Sequence, residues 1–436
     1  MESICFQNKT LDIQMVLRPW GEDRDQPGQE AKTIQINIDT TQKFQEIEGI
    51  GGAFSEIGGK ALATLSSSLQ QEVLFKLFHP TKGAGFTYCR LPIGASDFGL
   101  DAYSLNDIQD DFEMQHFSLS RDYQYLIPFI KGALHFQPLL KLHASPWSPP
   151  WWLKDNQSMT HGGQLIDSPH IYTAYANYLS LFVQQYADEG IIIDRLMVQN
   201  EPDATTIYPS CLFPNAQMSH FVQHYLYPSF KEKGLTTKLC VGTFRTVSGL
   251  QANHCMRDDA LMALVDGIGL QYTLPKHLND LLRIRSDKKI LHTESVCYNG
   301  NNSWEQAIKL FNDFVAYMDA GCSVYTYWNM ILDQTQKSTW GWAQNSLISI
   351  DTQTSDIRYN PDFEVMQLIG RYLKPGAKRV ESFCFDKRVI AFENADGHII
   401  CFVSNLNTIT ETGSVHLNDT LHPLTLPPYS ITALSF

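Results

Sequence analysis

Ile191-Ile192-Ile193-Asp194-Arg195-Leu196-Met197-Val198-Gln199-Asn200-Glu201-Pro202 is the stretch whose reading decides the fold. An apolar run ends in Asn-Glu-Pro, so a strand delivers a carboxylic acid at its carboxyl end. The proline then stops the ladder of hydrogen bonds and turns the chain out into a loop. A second run, Lys289-Ile290-Leu291-His292-Thr293-Glu294-Ser295, repeats the arrangement and again ends on a glutamate.

Outward from these two runs, short β-rich segments alternate with longer ones of helical periodicity. The strands are predicted at residues 47–55, 86–93, 139–144, 196–200, 238–242, 267–272, 289–293 and 323–328. Helix-like segments at 66–78, 172–189, 218–233 and 304–320 lie between them. Eight strands with intervening helices predict a parallel (β/α)8 TIM barrel of class α/β, in which Glu201 ends the fourth strand and Glu294 the seventh. Gly49-Ile50-Gly51-Gly52 is a glycine cluster after which a doubly wound sheet could bind phosphate, but it does not match G-x-G-x-x-G.

The flanks read differently. Residues 10–18 and 33–38 are strand-like, separated by a polar stretch at 21–28, and 33–38 alternates with period two. Beyond Lys374-Pro375-Gly376, strands at 389–393, 398–404, 412–417 and 431–436 follow one another with no helix between them. The expected organisation is an accessory β-sandwich built from residues 1–44 and 375–436, with the catalytic barrel, 45–374, inserted between its two ends.

Composition narrows the partners. A chain of 436 residues buries a sizeable core, and 43% hydrophobic with 18% charged residues is ordinary for a globular enzyme. The net charge of −13 argues against nucleic acid or an anionic membrane surface, both of which call for basic patches. No run of 18 apolar residues predicts a transmembrane segment, and residues 1–8 lack a basic region followed by an apolar one. Nine scattered cysteines without a Cys-x-x-Cys pair read as buried thiols, so cytoplasmic residence is expected. His143, His161, His254 and His292 show no metal-binding spacing, with His143 and His292 read as hydrogen-bonding or core residues, and no Gly-x-Ser-x-Gly elbow occurs. Neither metal nor cofactor is expected.

Two glutamates on one barrel rim are what retaining glycoside hydrolysis requires. One carboxyl must arrive protonated to serve the leaving oxygen, the other ionised to attack the anomeric carbon, and their mutual repulsion helps separate the two roles. Aromatic residues crowd the same rim. Ser145-Pro146-Trp147-Ser148-Pro149-Pro150-Trp151-Trp152-Leu153-Lys154 follows strand three, Tyr325-Thr326-Tyr327-Trp328-Asn329 ends strand eight, and Trp340-Gly341-Trp342-Ala343-Gln344-Asn345 lies just beyond. Six of the eight tryptophans fall in these regions, where indole faces suit the C–H face of a pyranose; one or two of the six are expected in the core. Arg90-Leu91-Pro92-Ile93-Gly94-Ala95-Ser96-Asp97 leaves strand two with a cation to hold a nucleophile ionised and a carboxylate to accept two sugar hydroxyls; a plain Arg90–Asp97 ion pair is the competing reading.

These features together resemble glycoside hydrolase family 30, the clan A group that includes lysosomal glucosylceramidase. Gly51-Gly52-Ala53-Phe54-Ser55-Glu56, residues 90–98 and 145–154, and the two glutamates in their strands carry the likeness, with Tyr359-Asn360-Pro361 through Lys374-Pro375-Gly376 resembling the family's last barrel helix and exit. The resemblance implies Glu201 as acid/base and Glu294 as nucleophile. It also implies Asn200 on the 2-hydroxyl and Arg90, Asp97, Trp147, Trp328 and Asn345 around the sugar, to which Tyr272 and Trp342 are added as substrate-binding candidates. The implied reaction is hydrolysis of a β-glucoside, a glycolipid or an oligosaccharide, by double displacement. β-Xylosidase, β-fucosidase and endo-β-1,6-glucanase activities of the same family are the alternatives, and a non-catalytic carbohydrate-binding barrel is a further one. At Gly269-Leu270-Gln271-Tyr272-Thr273 the chain departs from the His-Trp-Tyr-like run of glucosylceramidases, with Gln271-Tyr272 in place of its first two members.

Overall fold

The computed structural model describes residues 12–17, 33–385 and 388–436. Its centre is a closed barrel of eight parallel strands. In chain order these are β1 (Gly49–Ala53), β2 (Tyr88–Ile93), β3 (Lys141–Pro146), β4 (Arg195–Met197), β5 (Lys238–Phe244), β6 (Gly267–Leu270), β7 (Lys289–His292) and β8 (Val324–Asn329). β8 pairs with both β7 and β1, which closes the ring. The expected TIM barrel is therefore the fold, and the strands fall close to their predicted positions.

Two local departures have physical causes. β4 is regular for only three residues, yet the amides of Val198, Gln199 and Glu201 still bond to carbonyls of β5. The pairing persists while the backbone bends, and Glu201 itself sits at φ 46°, a left-handed conformation that a non-glycine residue adopts at a cost. The single helix predicted over 218–233 is three consecutive pieces, Asn215–Phe221, a π-helical Val222–Leu226 and Tyr227–Glu232. Pro228 lacks an N–H, and the wider π turn before it accommodates the missing bond.

The glycine cluster of β1 serves closure of the barrel. A Cβ on Gly51 would lie 2.3 Å from the Tyr88 carbonyl oxygen of β2, and one on Gly52 would lie 2.4 Å from Met330 after β8. At the opposite, amino-terminal end, Arg195 is buried beneath the barrel and held by Glu48 at 2.8 Å and Asp266 at 2.7 Å.

The remaining strands form one hydrogen-bonded sheet of eight, drawn from both ends of the chain. Its order is Asp12–Leu17, Ser430–Ser435, Ile399–Asn405, Val389–Glu393, Lys378–Cys384, Thr33–Glu46, Glu411–Leu417 and Thr420–Leu426. Alternation divides three of these strands, Ser430–Ser435, Ile399–Asn405 and Val389–Glu393, between two cores. Ile34, Ile36, Val380, Cys401, Val415, Leu424 and Leu434 cluster with one another across the folded sheet. Ile390, Phe392, Ile400, Phe402 and Ile431 instead join the core of the barrel. The sequence expectation of a separate β domain made by the two termini holds. Only residues 12–17 of the first predicted strand are described, and the polar stretch at 21–28 lies outside the described residues.

Candidate active site

Glu201 follows β4 and Glu294 follows β7, so both carboxyls stand on the carboxyl-terminal rim, where the loops of such barrels build their sites. They are 4% and 5% exposed, a degree of burial that carboxylates tolerate only with partners. Their partners differ. Glu294 accepts from Arg90 Nη1 at 2.7 Å, Tyr272 Oη at 2.5 Å and Gln271 Nε2 at 3.1 Å. Glu201 accepts from Tyr208 Oη at 3.1 Å and from Arg245 Nη1 at 3.3 Å, whose side chain is 42% exposed.

Burial raises the proton affinity of both carboxyls. At Glu294 the guanidinium of Arg90 and the hydroxyl of Tyr272 oppose that rise directly. At Glu201 the charge of Glu294 adds to burial, and Arg245 and Tyr208 offset the sum only in part, so the carboxyl is pushed up to about 7. One carboxyl is thus braced as an anion while its neighbour is poised to hold a proton near neutrality.

Arg90 is the hub of the site. Fully buried on β2, it also donates to Ser145 Oγ at 2.8 Å, Asn200 Oδ1 at 2.7 Å and the Thr293 carbonyl at 3.1 Å. Trp147 and Trp328 flank its guanidinium at 4.5 and 5.4 Å and stack on each other with centroids 5.4 Å apart. Asn200 Oδ1 accepts from Arg90, from Gln271 Nε2 at 2.7 Å and from Thr243 Oγ1 at 2.9 Å. Three donors on the oxygen fix the orientation of the amide and leave its NH2 group for a ligand.

Asp97 is not the ion-pair partner of Arg90. Its Oδ1 is buried without a protein partner, and burial together with the charges of Glu294 and Glu201 drives its proton affinity up. Trp328 Nε1 is likewise buried and unpartnered. Orphaned polar atoms beside two glutamates are groups awaiting hydrogen bonds from something that enters the pocket. The loop that carries Asp97 is held from outside, because Glu56 accepts from the Leu100 amide at 2.7 Å and is gripped by Arg121.

Among the described residues no grouping of His, Cys, Asp and Glu offers a metal site. His143 reaches Thr326 Oγ1 at 3.2 Å and His292 stacks on Tyr325, both fully inside the barrel wall.

A profile described as the glycosyl hydrolase family 30 TIM-barrel domain matches residues 47–365. The chain belongs to glycosyl hydrolase family 30. It is 25% identical to the lysosomal acid glucosylceramidase of Mus musculus over 402 residues, spanning 85% of this chain and 77% of that protein. Over 231 residues it is 31% identical to the endo-1,6-β-D-glucanase neg1 of Aspergillus fumigatus, 49% of this chain and 47% of that one. The crystal structure of SrfJ from Salmonella typhimurium matches with a TM-score of 0.87 and 27% identity, covering 97% and 95% of the two chains.

In this family 30 site, Glu201, Glu294, Arg90, Asn200, Tyr272, Trp147 and Trp328 are brought together as expected from the sequence, with Asp97 in the field of both glutamates. Two rim tryptophans stand elsewhere, and a third packs beside the partner of Glu201. Trp151 and Trp152 spend their indole N–H groups on the carbonyls of Asp107 and Asn106 and brace the loop after β2. Trp342 packs on Tyr208, the tyrosine that reaches Glu201, with centroids 5.2 Å apart. Asn345 is fully buried beside Asp362, its Oδ1 taken by the Asn302 amide, so it braces the loop after β8 and does not open onto the mouth. Arg245, Tyr208 and Thr243 escaped the sequence reading. Arg245 follows the end of β5 as Glu201 follows β4, a signal that was there to be used; Tyr208 lies in a loop without pattern.

Proposed function

We propose that this glycoside hydrolase is a retaining β-glycosidase that cleaves β-glucosides by double displacement, in the manner of a glucosylceramidase. Glu294 is the nucleophile: it attacks the anomeric carbon and forms a covalent glycosyl-enzyme as the leaving group departs. Glu201 gives its proton to the departing oxygen, then takes one from the water that releases the sugar. The observation that carries this reading is the unequal bracing of the two carboxyls. Three donors, one of them a buried guanidinium, favour the anion at Glu294, whereas Glu201 is pushed up to about 7 by burial and by its neighbour. The free NH2 of Asn200 then serves the 2-hydroxyl, and Asp97 with Trp328 Nε1 serves the far side of the ring.

The likeness to lysosomal acid glucosylceramidase supports a glucoside, and the likeness to an endo-1,6-β-D-glucanase supports a second reading, cleavage of a β-1,6-glucan. A panel of nitrophenyl β-glucoside, β-xyloside and β-fucoside, run beside glucosylceramide and a β-1,6-glucan, tests the proposal. Turnover of the glucosides is expected. Exclusive turnover of the glucan would overturn it in favour of the second reading, and no turnover of any sugar by folded protein would favour a binding barrel.

A further inference from the structure

Lys154, in the loop after β3, is 0% exposed. Its ammonium is met by main-chain carbonyls, those of Ser158 at 2.7 Å and Met159 at 3.4 Å in its own loop and that of Ser210 at 2.7 Å in the loop after β4. Enclosing a cation among carbonyls is costly, and burial pushes its proton affinity down to about 8. An apolar side chain of similar length would fill the space without that cost. What the charge supplies is a point on which carbonyls of two separate loops must converge.

The second of those loops carries Tyr208 close to this point. Residues 206–210 form a turn closed by Ser210 Oγ, which accepts from the Thr206 amide at 3.2 Å. Both legs of the turn are pinned to the β3 loop. Before Tyr208, the His161 amide bonds to the Thr206 carbonyl at 2.8 Å. After it, the Ser210 amide bonds to the Met159 carbonyl at 2.9 Å and the Gly162 amide to Ser210 Oγ at 3.0 Å. Tyr208 stands between the legs, with its hydroxyl 3.1 Å from Glu201 Oε2 and its ring against Trp342. Thr205 and Ile207 beside it are exposed, and a segment with so little apolar burial takes its shape from its hydrogen bonds.

We propose that Lys154 is a positioning residue for the acid/base. Its buried ammonium fixes the turn that keeps the Tyr208 hydroxyl on Glu201, and so aims the carboxyl that must meet the leaving oxygen. The inference rests on the reading of Glu201 proposed above and adds to it a residue that acts only through the turn. Without the Tyr208 hydroxyl, the Glu201 carboxyl turns about its last bond, a soft torsion, and its proton is no longer aimed. Substrates whose leaving group departs without a proton do not feel that loss, and those whose leaving group needs one do.

The test compares kcat/KM on octyl β-glucoside, whose leaving group needs a proton, with kcat/KM on a dinitrophenyl β-glucoside, whose leaving group does not. Loss of one hydrogen bond lowers the octyl-to-dinitrophenyl ratio by about ten-fold in Tyr208→Phe. Lys154→Met lowers it by a similar factor. The double variant Lys154→Met/Tyr208→Phe stays at about ten-fold and does not reach about a hundred-fold, because both substitutions remove the same bond. In all three the alkaline limb of the octyl profile moves up together, since the Tyr208 hydroxyl lowers the proton affinity of Glu201. The ratio does not depend on how much of a variant folds. If Lys154→Met yields no folded protein, Ser210→Ala takes its place: it removes the hydroxyl that accepts from Gly162 and Thr206, and the ratio falls with it. A lysine that is merely structural lowers Tm and leaves ratio and limb where they were; that result, or single effects that multiply in the double variant, overturns the proposal. Glu201→Ala separates the inference from the reading beneath it. Selective loss on the octyl substrate in Glu201→Ala, without it in Lys154→Met, sinks only the role of Lys154. Equal loss on both substrates in Glu201→Ala sinks the acid/base reading and this inference with it, as does folded protein that hydrolyses neither glucoside.

Discussion

Replacing Arg245 by methionine removes the cation paired with Glu201 while keeping most of the side chain's length. Its Nη1 lies 3.3 Å from Glu201 Oε2, and 42% of the side chain is in solvent. Because one partner of the pair is half-hydrated, a water-like dielectric describes it better than a protein-like one. At ε of about 80 the attraction is about 332/(80 × 3.3), or about 1.3 kcal/mol, which equals about one pH unit of proton affinity. Arg245 stabilises the carboxylate, so its loss raises the pKa of Glu201 and the protonated acid survives to higher pH. The assay is kcat/KM against pH with a β-glucoside whose leaving group needs protonation. The alkaline limb of the wild type is expected near the raised proton affinity of Glu201, about 7. In Arg245→Met it moves up by about one unit, while the acid limb, set by Glu294 with Arg90 and Tyr272 as its main partners, moves less. An alkaline limb that stays put, or moves to lower pH, would show that Glu201 is not the titrating acid.

Other expectations follow from the same geometry. Glu294→Gln abolishes turnover, whereas Glu201→Ala slows substrates with poor leaving groups most and is partly rescued by azide; equal loss on good and poor leaving groups would count against the acid/base role. A crystal structure is expected to find the two carboxyls about 5–5.5 Å apart, and proton NMR to find a first-formed product of retained configuration, while a gap near about 9 Å with inversion would refute the mechanism. Gln271→Leu removes a donor shared by Glu294 and Asn200 and lowers kcat by about ten- to a hundred-fold; an unchanged kcat in folded protein would show the bond to be idle.

Asp122 offers a stability test away from the site. Burial pushes its carboxyl up to about 6 in spite of hydroxyls donated by Tyr103 and Tyr186. A folded-state affinity above the unfolded value of about 3.9 means the fold gains stability on protonation, and loses up to about 3 kcal/mol as pH rises from about 4 to about 6. Asp122→Asn flattens Tm against pH over that window, and parallel profiles for the two proteins would refute the assignment.

Much of the site was legible because strand chemistry leaves a mark on the chain. A run of apolar residues that stops at Asn200-Glu201-Pro202 or at Thr293-Glu294 can only place its acid where the strand ends, and eight such runs close into a ring. Arg90, within β2, and Asp97, just beyond its end, were legible for the same reason. The aromatic residues were less so. Trp147 and Trp152 look alike in sequence, yet one flanks the guanidinium of Arg90 and the other is spent on a loop carbonyl, because the short helical turn at Trp151–Leu153 rotates the second away. Alternation along β8 likewise sends Trp328 into the site and Tyr327 back toward Asp362 of the last helix, where Asn345 also goes.

By itself, then, the sequence determined the ring of strands, the two glutamates on its rim and the β domain made by both termini, because periodicity and strand endings are local properties of a chain. Tertiary structure alone decided that Arg90 holds Glu294 while Tyr208 and Arg245 serve Glu201, and that Asp97 Oδ1 is left without a partner. Those relations join residues far apart in the chain, and the charge, dielectric and contact that make them chemistry exist only once closure of the barrel brings the loops together.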